Sequence, residues 1–72
     1  MLSDIERKVL RILINCSKYN KTPTIKELCT WTGRNETGIY HVLESLAERR
    51  YIEWTVKNPE EIVLLKTNEI LV

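Results

Sequence analysis

The sequence is poor in most features that announce a specialised chemistry. Its 72 residues include two Gly, two Pro, two Cys, one His and no Phe. So little glycine and proline excludes long linkers, and each one that does occur marks a particular break. Cys16 and Cys29, with His41 as the lone histidine, do not make a zinc-ligand spacing and read instead as small buried apolar groups. No metal and no cofactor is therefore expected. No run approaches the ~18 apolar residues of a membrane span, and Met1-Leu2-Ser3-Asp4 leads straight into charge rather than into a leader. The expected location is cytoplasmic, with no membrane partner. An excess of one charge is missing too: eleven Lys and Arg stand against ten Asp and Glu, for a net +1. A strongly basic surface, the usual footprint of a polyanion binder, is thus absent from the chain as a whole. Nor is there a nucleophile–base pair, a glycine-rich phosphate loop or a metal-ligand cluster, so no enzymatic activity is expected.

What is present is an ordinary globular composition, 43% hydrophobic and 29% charged. A chain of this length makes one small domain that buries only about 60% of its unfolded surface, so its elements must be economical. Ser3 or Asp4 can cap a first helix, expected over residues 4–19, with Glu6 or Arg7 in its opening turn. Ile5, Val9, Ile12, Cys16 and Tyr19 recur at helical steps on one face, and Arg7, Lys8, Arg11, Asn15 and Lys18 fall largely on the other side. Leu10 and Ile14 lie off the first stripe. Two readings are open for them: a helix buried on a wide arc, or a subunit interface.

The segment YNKTP interrupts the helix, since Asn20 favours a turn and Pro23 biases Thr22 away from helical geometry. Thr24 then reads as an N-cap, with Glu27 completing a Ser/Thr-x-x-Glu capping box. A second helix is expected over 25–32, with Ile25, Leu28 and Cys29 inward and Trp31 on its outer side. Gly33 closes it in the left-handed conformation. Asn35 caps a third helix over 36–49. Ile39, Leu43, Leu46 and Ala47 form its apolar stripe with Val42 beside them, leaving Glu36, Thr37, Tyr40, His41, Glu44 and Glu48 outward. Arg49 and Arg50 sit at its negative end. Residues 51–56 alternate, with Ile52, Trp54 and Val56 on one face. Residues 57–60 form a turn and 61–66 a second strand, which together make a hairpin. The tail ends on Ile70, Leu71 and Val72, an apolar end that suggests docking onto the body or a partner.

Residues 24–54, TIKELCTWTGRNETGIYHVLESLAERRYIEW, thus read as a short helix, a glycine turn, a longer helix and the start of a strand. This order is similar to the winged helix-turn-helix domains of bacterial and archaeal transcription regulators. The segment TPTIKELCTWTG resembles the lead-in of the SOS-repressor amino-terminal domain. The segment GRNETGIYHVLESLAERRYIEW resembles the recognition helix and wing entry of multiple-antibiotic-resistance-type regulators. The resemblance covers nearly all of residues 3–66. It implies an α+β fold of three helices and a two-stranded wing, and binding of double-stranded DNA with the third helix in the major groove. Three positions depart from the pattern: Thr32 replaces a usual leucine, Arg34 a usual apolar residue, and Arg50 the common glycine at the end of the recognition helix.

Carried over position by position, the resemblance puts Asn35, Glu36, Thr37, Tyr40 and His41 on the DNA-facing end of the third helix. Lys26, Thr30 and Arg34 lie against the backbone, and Lys57 and Asn58 at the wing tip. Lys21, Lys26, Arg34, Arg49, Arg50 and Lys57 could form a local cationic rim, although Glu36, Glu44 and Glu48 stand on the same helix. A homodimer is expected, through Leu10, Ile14 and the Ile70-Leu71-Val72 tail, with half-sites about one helical turn apart. The alternative is a winged helix serving as a protein-interaction module in a larger assembly.

Overall fold

The computed structural model describes residues 2–65. Three helices, α1 (Asp4–Ser17), α2 (Ile25–Thr32) and α3 (Glu36–Glu48), precede two strands, β1 (Ile52–Thr55) and β2 (Asn58–Leu64). The strands pair antiparallel as a hairpin. The fold is α+β with the winged-helix layout, as the sequence pattern implies. No helix among the described residues is long and apolar enough to cross a membrane.

Local chemistry sets the helix starts. Ser3 and Glu6 form a capping box around α1, and Thr24 and Glu27 form one around α2. In the second box Glu27 N–H donates to Thr24 Oγ1 and Thr24 N–H to Glu27 Oε1, both at 3.0 Å. Two of the four orphan amide donors at each helix start are satisfied in this way. The donor from Thr24 and the nearby Lys21 ammonium, 3.6 Å away, hold the Glu27 carboxyl below its ordinary range.

Every helix ends on a left-handed residue, but only one of the three is glycine: Asn20 (φ 55°), Gly33 (φ 73°) and Arg50 (φ 65°). At α3 the Tyr51 N–H bonds Leu46 O at 3.0 Å and the Arg50 N–H bonds Ala47 O at 3.1 Å. This six-to-one and five-to-two pair of bonds satisfies the last carbonyls. Lys21 and Asn20 repeat it on Cys16 and Ser17. Asn tolerates this conformation; an arginine in it is strained by about 1 kcal/mol. Arg50 thus stands in a backbone conformation that favours glycine.

The core draws on every element: Val9, Leu10 and Leu13 from α1, Ile25 and Leu28 from α2, Ile39, Leu43 and Leu46 from α3, Ile52 and Trp54 from β1, and Ile62 from β2. Each such side chain contributes about 1.5–3 kcal/mol on burial. The expected inward face of α1 is corrected here. Leu10 is 0% exposed and Ile14 is buried, while Ile5, Ile12 and Cys16 are only half-buried. Tyr19 lies beyond the helix and is 82% exposed. The helix stops at Ser17, two residues early, because Asn20 turns left-handed. Of the two readings for Leu10 and Ile14, the wide buried arc holds, and neither offers surface to a second subunit. Ile70, Leu71 and Val72 lie outside the described residues.

The same inward face carries one charge. Glu6 is 6% exposed; its Oε1 accepts from Ser3 N–H at 2.8 Å and its Oε2 from the Ser45 hydroxyl at 2.6 Å. Arg49 Nη1 stands 3.8 Å from Oε1. Burial pushes this carboxyl up, but the donors from Ser3 and Ser45 and the Arg49 charge together bring it below its ordinary value. A capping residue of α1 thus doubles as the polar bolt between α1 and α3.

The hairpin differs from the expected turn over 57–60. Thr55 pairs with Asn58, so the loop is Val56-Lys57 alone, and Val56 is exposed at the tip rather than on the core face. Neither loop residue has a positive φ, so the loop is not one of the mirror-image turns whose twist matches the strands. The ladder breaks just behind it: Glu53 pairs with Val63, leaving residues 59–62 opposite Trp54. Trp54 Nε1 spans the bulge by donating to Pro59 O at 3.0 Å. Pro59, lacking an N–H, loses nothing in an interrupted ladder. Glu60 from the bulge reaches the amino end of α2, where Ile25 N–H lies 3.4 Å from Oε1.

Candidate nucleic-acid interface

The turn between α2 and α3 is built from side-chain hydrogen bonds. The Thr32 hydroxyl donates to Leu28 O at 2.6 Å and accepts from Arg34 N–H at 3.3 Å. Through these two bonds the Thr32 hydroxyl helps close the turn that Gly33 opens. Gly33 N–H completes α2 by bonding Cys29 O at 2.9 Å. Arg34, which follows, is exposed.

Several expected contact residues prove to be occupied. Asn35 Oδ1 accepts from Gly38 N–H at 2.8 Å, so the side chain serves as the cap of α3. The Thr30 hydroxyl donates back to Lys26 O at 3.0 Å. Tyr40 is half-buried rather than outward: its ring packs edge-on against Trp54, with centroids 5.5 Å apart and planes at 72°. That contact joins α3 to the base of the wing. Arg49 faces Glu6 and holds further partners, and Arg50 closes α3. Lys21 is drawn to Glu27.

What remains open on α3 is the stripe Thr37, His41, Glu44 and Glu48, spaced three and four residues apart and all exposed. Glu36 is exposed in the first turn, where a carboxylate meets the positive end of the helix dipole favourably. The amino half of the stripe thus offers a hydroxyl and an imidazole; the carboxyl half offers two carboxylates. Lys26, Arg34 and Lys57 are exposed cations with no ion pair to another described residue, and Asn58 is exposed beside Lys57 at the tip of the wing. A Cβ on Gly38 would lie 3.3 Å from Asn35 Oδ1 and 3.6 Å from Arg34 Cβ. The glycine therefore gives the cap room as well as smoothing the helix surface.

Trp31 stands 43% exposed on the outer side of α2. No group of three or more metal-ligating side chains gathers among the described residues. No protein-family model, curated protein or solved structure matches the chain.

Proposed function

We propose that the chain is a double-stranded DNA-binding domain of a transcription regulator acting in the cytoplasm. In this reading the amino half of α3 enters the major groove and the Lys57-Asn58 tip rests on the backbone. The observation that carries the reading is the exposure of Arg34, Thr37 and His41 around the start of α3 in a helix-turn-helix, with Lys26 on α2 and Lys57 on the wing as exposed cations that make no ion pair to another described residue. Base edges need donors and acceptors at the start of an exposed helix, and Thr37 and His41 supply them; phosphates need cations beside it. Glu44 and Glu48, further along the same stripe, must stay clear of the phosphates, which limits how deeply the helix lies. A two-fold dimer would set two copies of α3 on half-sites about one helical turn apart. Its contact has to use surface other than Leu10 and Ile14.

A second reading rests on that same pair of carboxylates. An α3 face carrying Glu36, Glu44 and Glu48 also suits a basic protein partner, in which case the domain is an interaction module. Fluorescence anisotropy with duplex DNA over a range of salt separates the two. DNA binding predicts affinity that falls steeply with salt, with the slope reduced by about 1 in Arg34→Ala. No binding at micromolar protein in low salt would rule the first reading out.

A further inference from the structure

We propose that the outer face of α1 is a second nucleic-acid surface, which grips the phosphate backbone of a duplex without reading its bases. The proposal is independent of how α3 is used. Arg7, Arg11, Asn15 and Lys18 follow one another at steps of four, four and three, with Lys8 alongside, and all five are exposed. At 100° per residue they share an arc of about 100°. Lys18 still has helical backbone (φ −63°, ψ −22°), so the row continues past the last assigned turn. Four of the eleven cations of the chain therefore stand on one face of one helix, with Asp4 as its sole carboxylate. Asp4, Arg7, Lys8 and Arg11 line a shallow hollow there.

None of these four cations forms an ion pair with another described residue. Asp4 offsets part of the charge at the helix start, four residues before Lys8, but beyond it Arg7 and Arg11 occupy a step of four with like charge and repel each other. The row from Arg7 to Lys18 is about 16 Å long, enough to meet more than one phosphate along a duplex backbone that carries one per ~3.4 Å of axis on each strand. The face also argues against other occupants. It carries no apolar side chain for the desolvated centre of a protein interface. Most of the apolar side of α1 is spent in the core, and the half-buried Ile5 and Ile12 at the edge of the row pack against that core, which leaves no continuous apolar face to insert into a lipid surface. The near-neutral total charge conceals this division: α1 presents a positive face and α3 a negative stripe, and a count over the chain averages them away.

The test is anisotropy with an unrelated-sequence duplex of about 20 base pairs, titrated over salt, comparing wild type with the triple variant Arg7→Gln/Lys8→Gln/Arg11→Gln. Thermal unfolding checks the fold, and Lys18→Gln alone provides a milder second variant. The triple is expected to lower the salt slope by about 3, and Lys18→Gln by about 1, to the same degree on every sequence. A folded variant with an unchanged slope overturns the proposal. So does loss of binding to a polyglutamate peptide with duplex binding intact, since the face would then be one for acidic polypeptide. Arg34→Ala run in parallel keeps the two sites apart. If it leaves binding unchanged while the α1 variants weaken it, the α3 reading falls and the α1 surface stands.

Discussion

Replacing Glu6 by Gln keeps the shape of the side chain but removes its charge and turns one of its two accepting oxygens into a donor, which probes the bolt between α1 and α3. The carboxylate accepts from Ser3 N–H at 2.8 Å and from the Ser45 hydroxyl at 2.6 Å. A hydrogen bond to a charged group contributes about 1.5–3 kcal/mol against about 0.5–1.5 for a neutral pair. The amide oxygen can keep Ser3 N–H at a cost of about 1 kcal/mol, while the NH2 in place of Oε2 no longer accepts and the Ser45 hydroxyl must turn to accept from it, at a similar cost. Arg49 adds little, being 3.8 Å away and 44% exposed. The amide also escapes the burial that disfavours the charge, which returns part of the loss. The net expectation is a destabilisation of about 1–2 kcal/mol at neutral pH, a large share of the ~4–10 kcal/mol available to a domain of this size. The melting temperature should drop by about 5–10 °C.

The pH dependence has a definite sign. The folded-state carboxyl lies below its ordinary value of 4.5. Above that value its contribution is fully present; as pH falls through it, the unfolded chain takes up a proton before the folded one does, and the contribution is lost. Urea unfolding followed by circular dichroism, for wild type and variant at neutral pH and near pH 3, should show the gap between them closing in acid. An equal gap at both pH values, or none at neutral pH, would refute the electrostatic account of this contact.

Two other substitutions probe the backbone and the wing. Arg50→Gly relieves a left-handed arginine at φ 65° and should stabilise the fold by about 1 kcal/mol in the same urea assay; a loss of stability would mean that the arginine stem packs in a way that outweighs the strain. Trp54→Phe removes the donor to Pro59 O across the bulge and should cost about 1–2 kcal/mol, with amide-exchange protection falling first in the hairpin; uniform loss across all elements would contradict a local role.

The readable parts of the fold were those where cause and consequence sit within one turn of chain. Thr24 with Glu27, Asn35 as a cap, Gly33 as the left-handed stop, and the Ile39–Leu43–Leu46 stripe all act over three or four residues, and each stands where the pattern puts it. The inner face of α1 was not readable in this way. Apolar residues occur on two of its sides, and what selects between them is distant: Ser45 on α3 engages Glu6 across 39 positions. The wing misled through its Asn-Pro step, a strong turn signal that instead falls inside β2, where the broken ladder accepts a proline. Tyr40 fits an outward position by periodicity, but Trp54 draws it onto the wing, a contact fixed only once β1 lies against α3. Of the residues expected at the site, Lys26, Arg34, Thr37, His41 and Lys57 are exposed as their spacing implies, while Asn35, Tyr40 and Arg49 are taken up by contacts within the fold.

The most direct measurement of the central claim is amide chemical-shift mapping while a duplex is added at low salt. Binding through α3 predicts shifts concentrated at Arg34, Thr37 and His41 and at the Lys57-Asn58 tip, with a separate group at Arg7, Arg11 and Lys18 if the outer face of α1 engages as well. Shifts that leave Arg34, Thr37 and His41 unmoved while the duplex is bound would contradict the recognition role of α3.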